Sequence, residues 1–253
     1  FSTVTDRRYS QMKTLPASPA PCVLSSGALS TSPTEKNSGS APHLFSLFAL
    51  RSVTLRNRVG VSPMCQYSAT DGVANDWHLV HLGSRAIGGA CLVIAEATAV
   101  SPEGRITPGD AGIWSDKHVE PLARITRFVK QHGAVPGIQL AHAGRKASAA
   151  VPWAGGAHLA DNAGGWTPVA PSAVAFGGEL KKVPHALTAD EIKRVQLDFV
   201  TAAKHSLAAG YEWLELHSAH GYLSHEFLSP LSNQRTDNYG GSFENRVRLL
   251  LDT

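Results

Sequence analysis

From Phe45 onward, short runs of aliphatic and β-branched residues alternate with stretches whose apolar side chains recur every three or four positions. This alternation predicts parallel strands joined by crossover helices. The strand candidates are Val59–Tyr67, Cys91–Ala97, Val135–Ala141 and Tyr211–His217, with helices between them. Asp116 precedes a stripe of Leu122, Ile125 and Val129, and Gly133 follows its end. That combines a start, a buried face and a stop. Thr188 and Glu191 have capping-box spacing ahead of Ile192, Val195, Phe199 and Ala203, and Gly210 closes that helix. A further helix begins near Ser242 and carries Val247, Leu250 and Leu251.

The pattern amounts to four strand–helix units. A complete (β/α)8 barrel has eight and typically occupies ~250 residues. The long stretch from Val151 to Leu187, rich in Gly, Pro and Trp, reads as loop. The expected fold is therefore α/β: a (β/α)8 TIM barrel truncated to roughly its first four units. A doubly wound sheet would use the same alternation. However, no strand is followed by GxGxxG opening a helix, and GxxxxGK[ST] is absent.

Residues 1–42 break the pattern. They are dominated by Ser, Thr, Pro and Ala, with Arg7, Arg8 and Lys13 near the start, and read as a disordered tail or an organellar targeting segment. Residues 43–253 form the barrel portion. The chain begins at Phe1 rather than Met and stops inside an amphipathic pattern at Thr253, so it reads as a fragment.

Composition narrows the class. With 43% hydrophobic and 17% charged residues, the chain is expected to be globular. A net charge of +3 without a basic stripe argues against a nucleic-acid partner. Cys22, Cys65 and Cys91 are too scattered for a disulfide framework or a zinc site, and suit a reducing intracellular compartment. That compartment is cytoplasmic, or organellar if the tail is a targeting peptide. No apolar run approaches the ~20 residues of a membrane span.

Reactive groups in parallel α/β folds gather at the carboxyl ends of strands. Those ends read Ser62-Pro63-Met64-Cys65-Gln66-Tyr67, Glu96-Ala97-Thr98, Gln139 through Lys146, and His217-Ser218-Ala219-His220-Gly221-Tyr222. His217 and His220 can converge on one acceptor. They could also hold a metal with His225 or Glu226, although HxxH alone is a weak signal. Taken singly, Tyr222 could be a packing residue, Cys65 a core filler and Lys146 a solvated charge.

The strings SPMCQYSA, QLAHAGRKA, HSAHGYLSHEFLSP and SNQRTDNYGGSFENR, in that order, resemble the old yellow enzyme family, and Cys65 points to its cysteine-containing branch. The resemblance implies an FMN-dependent oxidoreductase passing hydride from NAD(P)H to the activated C=C bond of an enone or enal. It assigns His217 and His220 to the substrate carbonyl oxygen and Tyr222 to proton donation. Ser62, Pro63, Met64, Cys65, Ala97, Gln139 and His217 are implied to contact FMN. Tyr67 and Lys146 match substrate-pocket positions. Cys65 is expected to tune the flavin, not to act as a nucleophile. A 2,4-dienoyl-CoA-reductase-like flavoenzyme and a truncated, non-catalytic product are the other readings.

The family's phosphate and flavin N1-edge contacts would lie beyond Thr253. The chain alone is thus expected to hold FMN poorly and to expose its fourth strand as an apolar edge. For the full-length protein the resemblance implies homo-oligomers.

Overall fold

The computed structural model describes residues 43–253, so both readings of the first 42 residues lie outside it. The described chain opens with an antiparallel hairpin, β1 (Phe48–Leu50) and β2 (Val53–Leu55). Next come β3 (Gly60–Val61), α1 (Asp76–Ile87), β4 (Leu92–Ala99), α2 (Val119–Gln131) and β5 (Val135–Ala141). Two short paired segments, β6 (Val169–Ala170) and β7 (His185–Ala186), interrupt the long loop. The chain ends with α3 (Ala189–Ala208), β8 (Trp213–Leu216), the short α4 (Leu223–Leu228) and α5 (Phe243–Leu251).

The main sheet is parallel with strand order β3-β4-β5-β8. Each strand is laid beside its predecessor and the order never reverses. A doubly wound sheet reverses at its switch point, so the observed order belongs to a barrel arc. β4 is buried along its whole length, as a strand covered on both faces must be. Val93, Ala95, Ile138 and Leu140 of the sheet pack with Leu122, Ile125 and Val129 of α2 and with Ile192, Val195 and Phe199 of α3. β8 forms one edge of the described sheet, where Leu214 and Leu216 are 38% and 41% exposed.

Local chemistry sets the helix ends. In the Thr188 capping box, the Thr188 amide donates to Glu191 Oε2 at 2.8 Å and the Glu191 amide to Thr188 Oγ1 at 3.3 Å. α2 starts later than Asp116, because a 3₁₀ turn over Asp116–His118 intervenes, with His118 Nδ1 accepting from the Ser115 amide.

The first strand is much shorter than Val59–Tyr67. Ladder pairing ends at Val61, and Pro63 has no N–H to donate. The Gln66 amide instead donates to the Glu96 carboxylate at 2.7 Å. Ser62–Tyr67 therefore leaves the sheet and crosses toward the strand ends.

Candidate active site

A register irregularity in β4 shapes the site. Ala95 pairs with Ile138, but Ala97 pairs with the next residue, Gln139, leaving Glu96 as the extra residue of a bulge. Bulges re-aim side chains beside functional sites. Here the result is a row across three strands, Ala97, Gln139 and Glu215, all lining one cleft of about 340 Å³. Ser62, Pro63, Cys65, His217, His220 and Tyr222 complete the lining. A larger, open groove of about 450 Å³ lies between Glu103 and the Glu191, Arg194 and Asp198 side chains of α3. It has mixed charge and none of the candidate site residues read from the sequence.

Glu215 has no place in the sequence reading of the site. Its signal was present: it lies two residues before His217, and strand side chains two apart share a face. Gln139 Nε2 donates to Glu215 Oε1 at 2.5 Å. A carboxylate can accept only, so it demands the NH₂ side of the amide and fixes which way Gln139 faces.

His217 directly follows β8, its amide donating to the Leu140 carbonyl at 2.9 Å. Its Nδ1 accepts from the Ala219 amide at 3.3 Å, so its proton sits on Nε2. That Nε2 lies 3.2 Å from Nδ1 of His220. His220 holds a left-handed backbone at φ 57°, and Gly221 follows at φ 73°. This tight turn brings the second imidazole back toward the first. Burial, then the neighbouring His220, lowers the His217 pKa, which favours a neutral ring with a fixed donor. The Tyr222 ring centroid is 4.6 Å from that of His217. Burial, then nearby Cys65, pushes the Tyr222 phenol well above its ordinary value, so it keeps its proton.

Cys65 lines the same cleft. Burial, then Asp110 and Glu96, pushes its thiol up to about 12. It is a thiol, not a thiolate nucleophile, at neutral pH. Tyr67 lies outside the cleft lining, with its ring edge-on to Trp153 at 5.8 Å and its backbone at φ 51°. Gly109 packs against the Tyr67 carbonyl so closely that a Cβ there would stand 2.6 Å from the oxygen. Met64 is absent from the cleft lining and borders a separate small cavity with His78, His81 and Glu96. Lys146 is also outside the lining: its Nζ donates to the His220 carbonyl at 3.0 Å and sits 5.3 Å from the Tyr222 ring centroid.

The two side chains that could have joined the histidines on a metal are engaged elsewhere. His225 Nδ1 accepts from the Gly221 amide at 2.9 Å, and Glu226 is buried against the Gly144–Arg145 turn. Among the described residues, no group of three His, Cys, Asp or Glu side chains converges.

The sequence pattern of the NADH:flavin oxidoreductase / NADH oxidase family matches residues 43–253. The chain belongs to this family, the old yellow enzymes. An NADH:flavin oxidoreductase of Gibberella zeae is 51% identical over 212 residues, covering 83% of this chain and 51% of that protein. An NADPH dehydrogenase of Bacillus cytotoxicus is 49% identical over 209 residues, covering 82% and 56%. Morphinone reductase, solved in complex with tetrahydroNAD, superimposes with a TM-score of 0.72 at 32% identity, covering 84% of this chain and 59% of that one. The chain thus spans little more than half the length of these relatives. Its four parallel units are part of the old yellow enzyme (β/α)8 barrel. FMN and a nicotinamide coenzyme are the cofactors of that family. No helix among the described residues is long and apolar enough to cross a membrane.

The cleft fits a flavin edge. Ala97 is a small wall residue, Gln139 is an amide of fixed orientation, and Cys65 is a protonated thiol. These suit a flat heteroaromatic ring with polar atoms on one rim.

Proposed function

We propose that this chain carries the flavin-edge and substrate-activating part of an FMN-dependent ene-reductase, which passes hydride from NAD(P)H to the activated C=C bond of an enone or enal. The observation that carries this reading is the 3.2 Å approach of His217 Nε2 and His220 Nδ1 on the rim of a cleft shared with Cys65 and Gln139. With the His217 proton on Nε2, His220 Nδ1 accepts it here; a carbonyl oxygen entering between the rings can take the Nε2–H of His217 and, from the Nδ1–H tautomer of His220, a second hydrogen bond. Donors fixed before the reaction stabilise the negative charge that grows on that oxygen, which lowers the barrier to hydride arrival at the β-carbon.

Bound FMN would supply the two-electron carrier between nicotinamide and alkene. Ser62, Pro63, Met64, Cys65, Ala97, Gln139 and His217 are the residues proposed to hold its edge, Met64 through its backbone. Tyr222 keeps its phenolic proton and gives it to the α-carbon. Tyr67 and Lys146 border the substrate side. Phosphate anchoring is not assigned to any residue of this chain.

The test is NAD(P)H-dependent reduction of a cyclic enone with FMN in excess, comparing the unmodified chain with His217→Ala and His220→Ala. Loss of the saturated product in both variants supports the reading. Enone reduction that is indifferent to both substitutions would refute it.

A further inference from the structure

Glu226 is a buried carboxyl group with no part in the proposed chemistry. It is 1% exposed, and Oε2 has no hydrogen-bond partner. Its Oε1 accepts from the Arg145 amide at 2.9 Å. Gly144 stands at φ 60°, where a Cβ would come within 2.3 Å of the same oxygen, so the backbone rests directly on the carboxyl. An isolated buried carboxyl is costly unless something is gained from its position.

The gain is visible in what the turn carries. The segment 220–226 and the stretch 142–146 are tied at three levels. Lys146 Nζ donates to the His220 carbonyl at 3.0 Å, the Leu223 amide to the His142 carbonyl at 2.9 Å, and the Arg145 amide to Glu226. The Glu226 amide also donates to the Tyr222 carbonyl at 2.8 Å, which joins the brace to the proposed proton donor. His220 occupies a left-handed conformation that persists in non-glycine residues only where the surroundings enforce it. Lys146 on its carbonyl is one such constraint.

We infer that Glu226 is a positioning residue: it holds the Gly144–Lys146 turn through the Arg145 amide and so sets the Lys146 ammonium on the His220 carbonyl, fixing how the histidine pair and Tyr222 face the cleft. The catalytic consequence rests on the ene-reductase reading. The brace itself does not.

The experiment is pulse acetylation of the full chain with acetic anhydride, followed by peptide mass spectrometry. In the unmodified chain Lys146 should label more slowly than the exposed Lys181 and Lys193. Glu226→Leu removes the acceptor, and Gly144→Ala disturbs the same contact from the other side while leaving the carboxyl in place. Either should raise Lys146 labelling about three- to tenfold, the population change for losing one hydrogen bond. Glu226→Gln, which retains an acceptor oxygen, should not. Lys181 and Lys193 should not change in any variant. Circular dichroism establishes that each variant is folded, and Gly144→Ala decides if Glu226→Leu is not.

Unchanged Lys146 labelling in a folded Glu226→Leu or Gly144→Ala variant overturns the inference. So does fast labelling of Lys146 in the unmodified chain. Enone reduction is measured alongside as a separate readout. A labelling shift in a chain inert toward enones would retain the brace and remove the ene-reductase reading. An active chain with no labelling shift would do the reverse.

Discussion

Nε2 of His217 and Nδ1 of His220 face each other across 3.2 Å, with the His217 proton placed on Nε2 by the Ala219 amide. If both nitrogens serve one carbonyl oxygen, removing either ring should lower enone turnover by about 10²–10³-fold, the usual loss for one oxyanion donor. The double variant should be little worse than either single one, because the two act as a unit. Steady-state kinetics of His217→Ala, His220→Ala and the pair would measure this. Multiplying losses would mean that the two rings act separately.

Tyr222→Phe isolates proton donation. The phenol is half-buried, and no side-chain hydrogen bond of its own holds the loop. Saturated product should fall by about 10²–10⁴-fold, the range for a lost general acid. Oxidation of NAD(P)H in the absence of alkene should be nearly unaffected. Stopped-flow measurement of the two half-reactions separates these effects, and equal losses in both would count against the assignment.

Burial makes Cys65 unreactive as well as protonated. With its thiol pushed up to about 12, alkylation by iodoacetamide at mildly basic pH should be far slower than for a free thiol, and should accelerate on unfolding. Cys91 is 1% exposed and should be alkylated only on unfolding, for want of access. Rapid modification of Cys65 in the folded chain would show that the thiol is more accessible and more acidic than its surroundings imply.

Stability should fall as pH rises through the neutral range. Burial raises the Glu226 carboxyl to about 8, against the opposing Arg145 amide and the Arg145 and Lys146 charges. Burial likewise raises Asp110 to about 7 despite its bonds from Thr107 and Ile106. Between the unfolded carboxyl pKa near ~4 and these values, the folded state binds more protons than the unfolded state, so stability decreases with pH. Urea midpoints measured from about pH 7 to pH 8, above the range in which buried histidines with lowered pKa such as His142 and His217 act in the opposite sense, should therefore decline. Glu226→Gln should flatten the slope, and an unchanged slope would remove Glu226 as its source.

Two packing substitutions test the frame. Thr188→Ala breaks the capping box of α3 and should cost about 1 kcal/mol. Gly109→Ala places a methyl group 2.6 Å from the Tyr67 carbonyl oxygen, and should cost on the order of 1–3 kcal/mol as an overpacked site. Denaturant titration reads both. If Gly109→Ala is silent, the Tyr67 turn is looser than its left-handed backbone indicates.

The sequence by itself determined the frame. Periodicity located the strands around Cys91–Ala97, Val135–Ala141 and Tyr211–His217, and the Thr188 and Gly210 signals bracketed α3, because these are local properties of backbone and burial. The residues at the strand ends, with their motifs, pointed to the family. Tertiary structure decided what depends on neighbours. Ladder pairing stopped at Val61 because Pro63 cannot donate and Glu96 claims the Gln66 amide. The bulge at Glu96, invisible to any pattern along one strand, aligned Ala97 with Gln139 and Glu215. Lys146 matched a pocket position in sequence, yet its Nζ rests on the carbonyl of His220, 74 residues further along the chain, and its own turn rests on Glu226 through the Arg145 amide. Motifs specify which groups are present. Contacts between segments distant in sequence fix where those groups point.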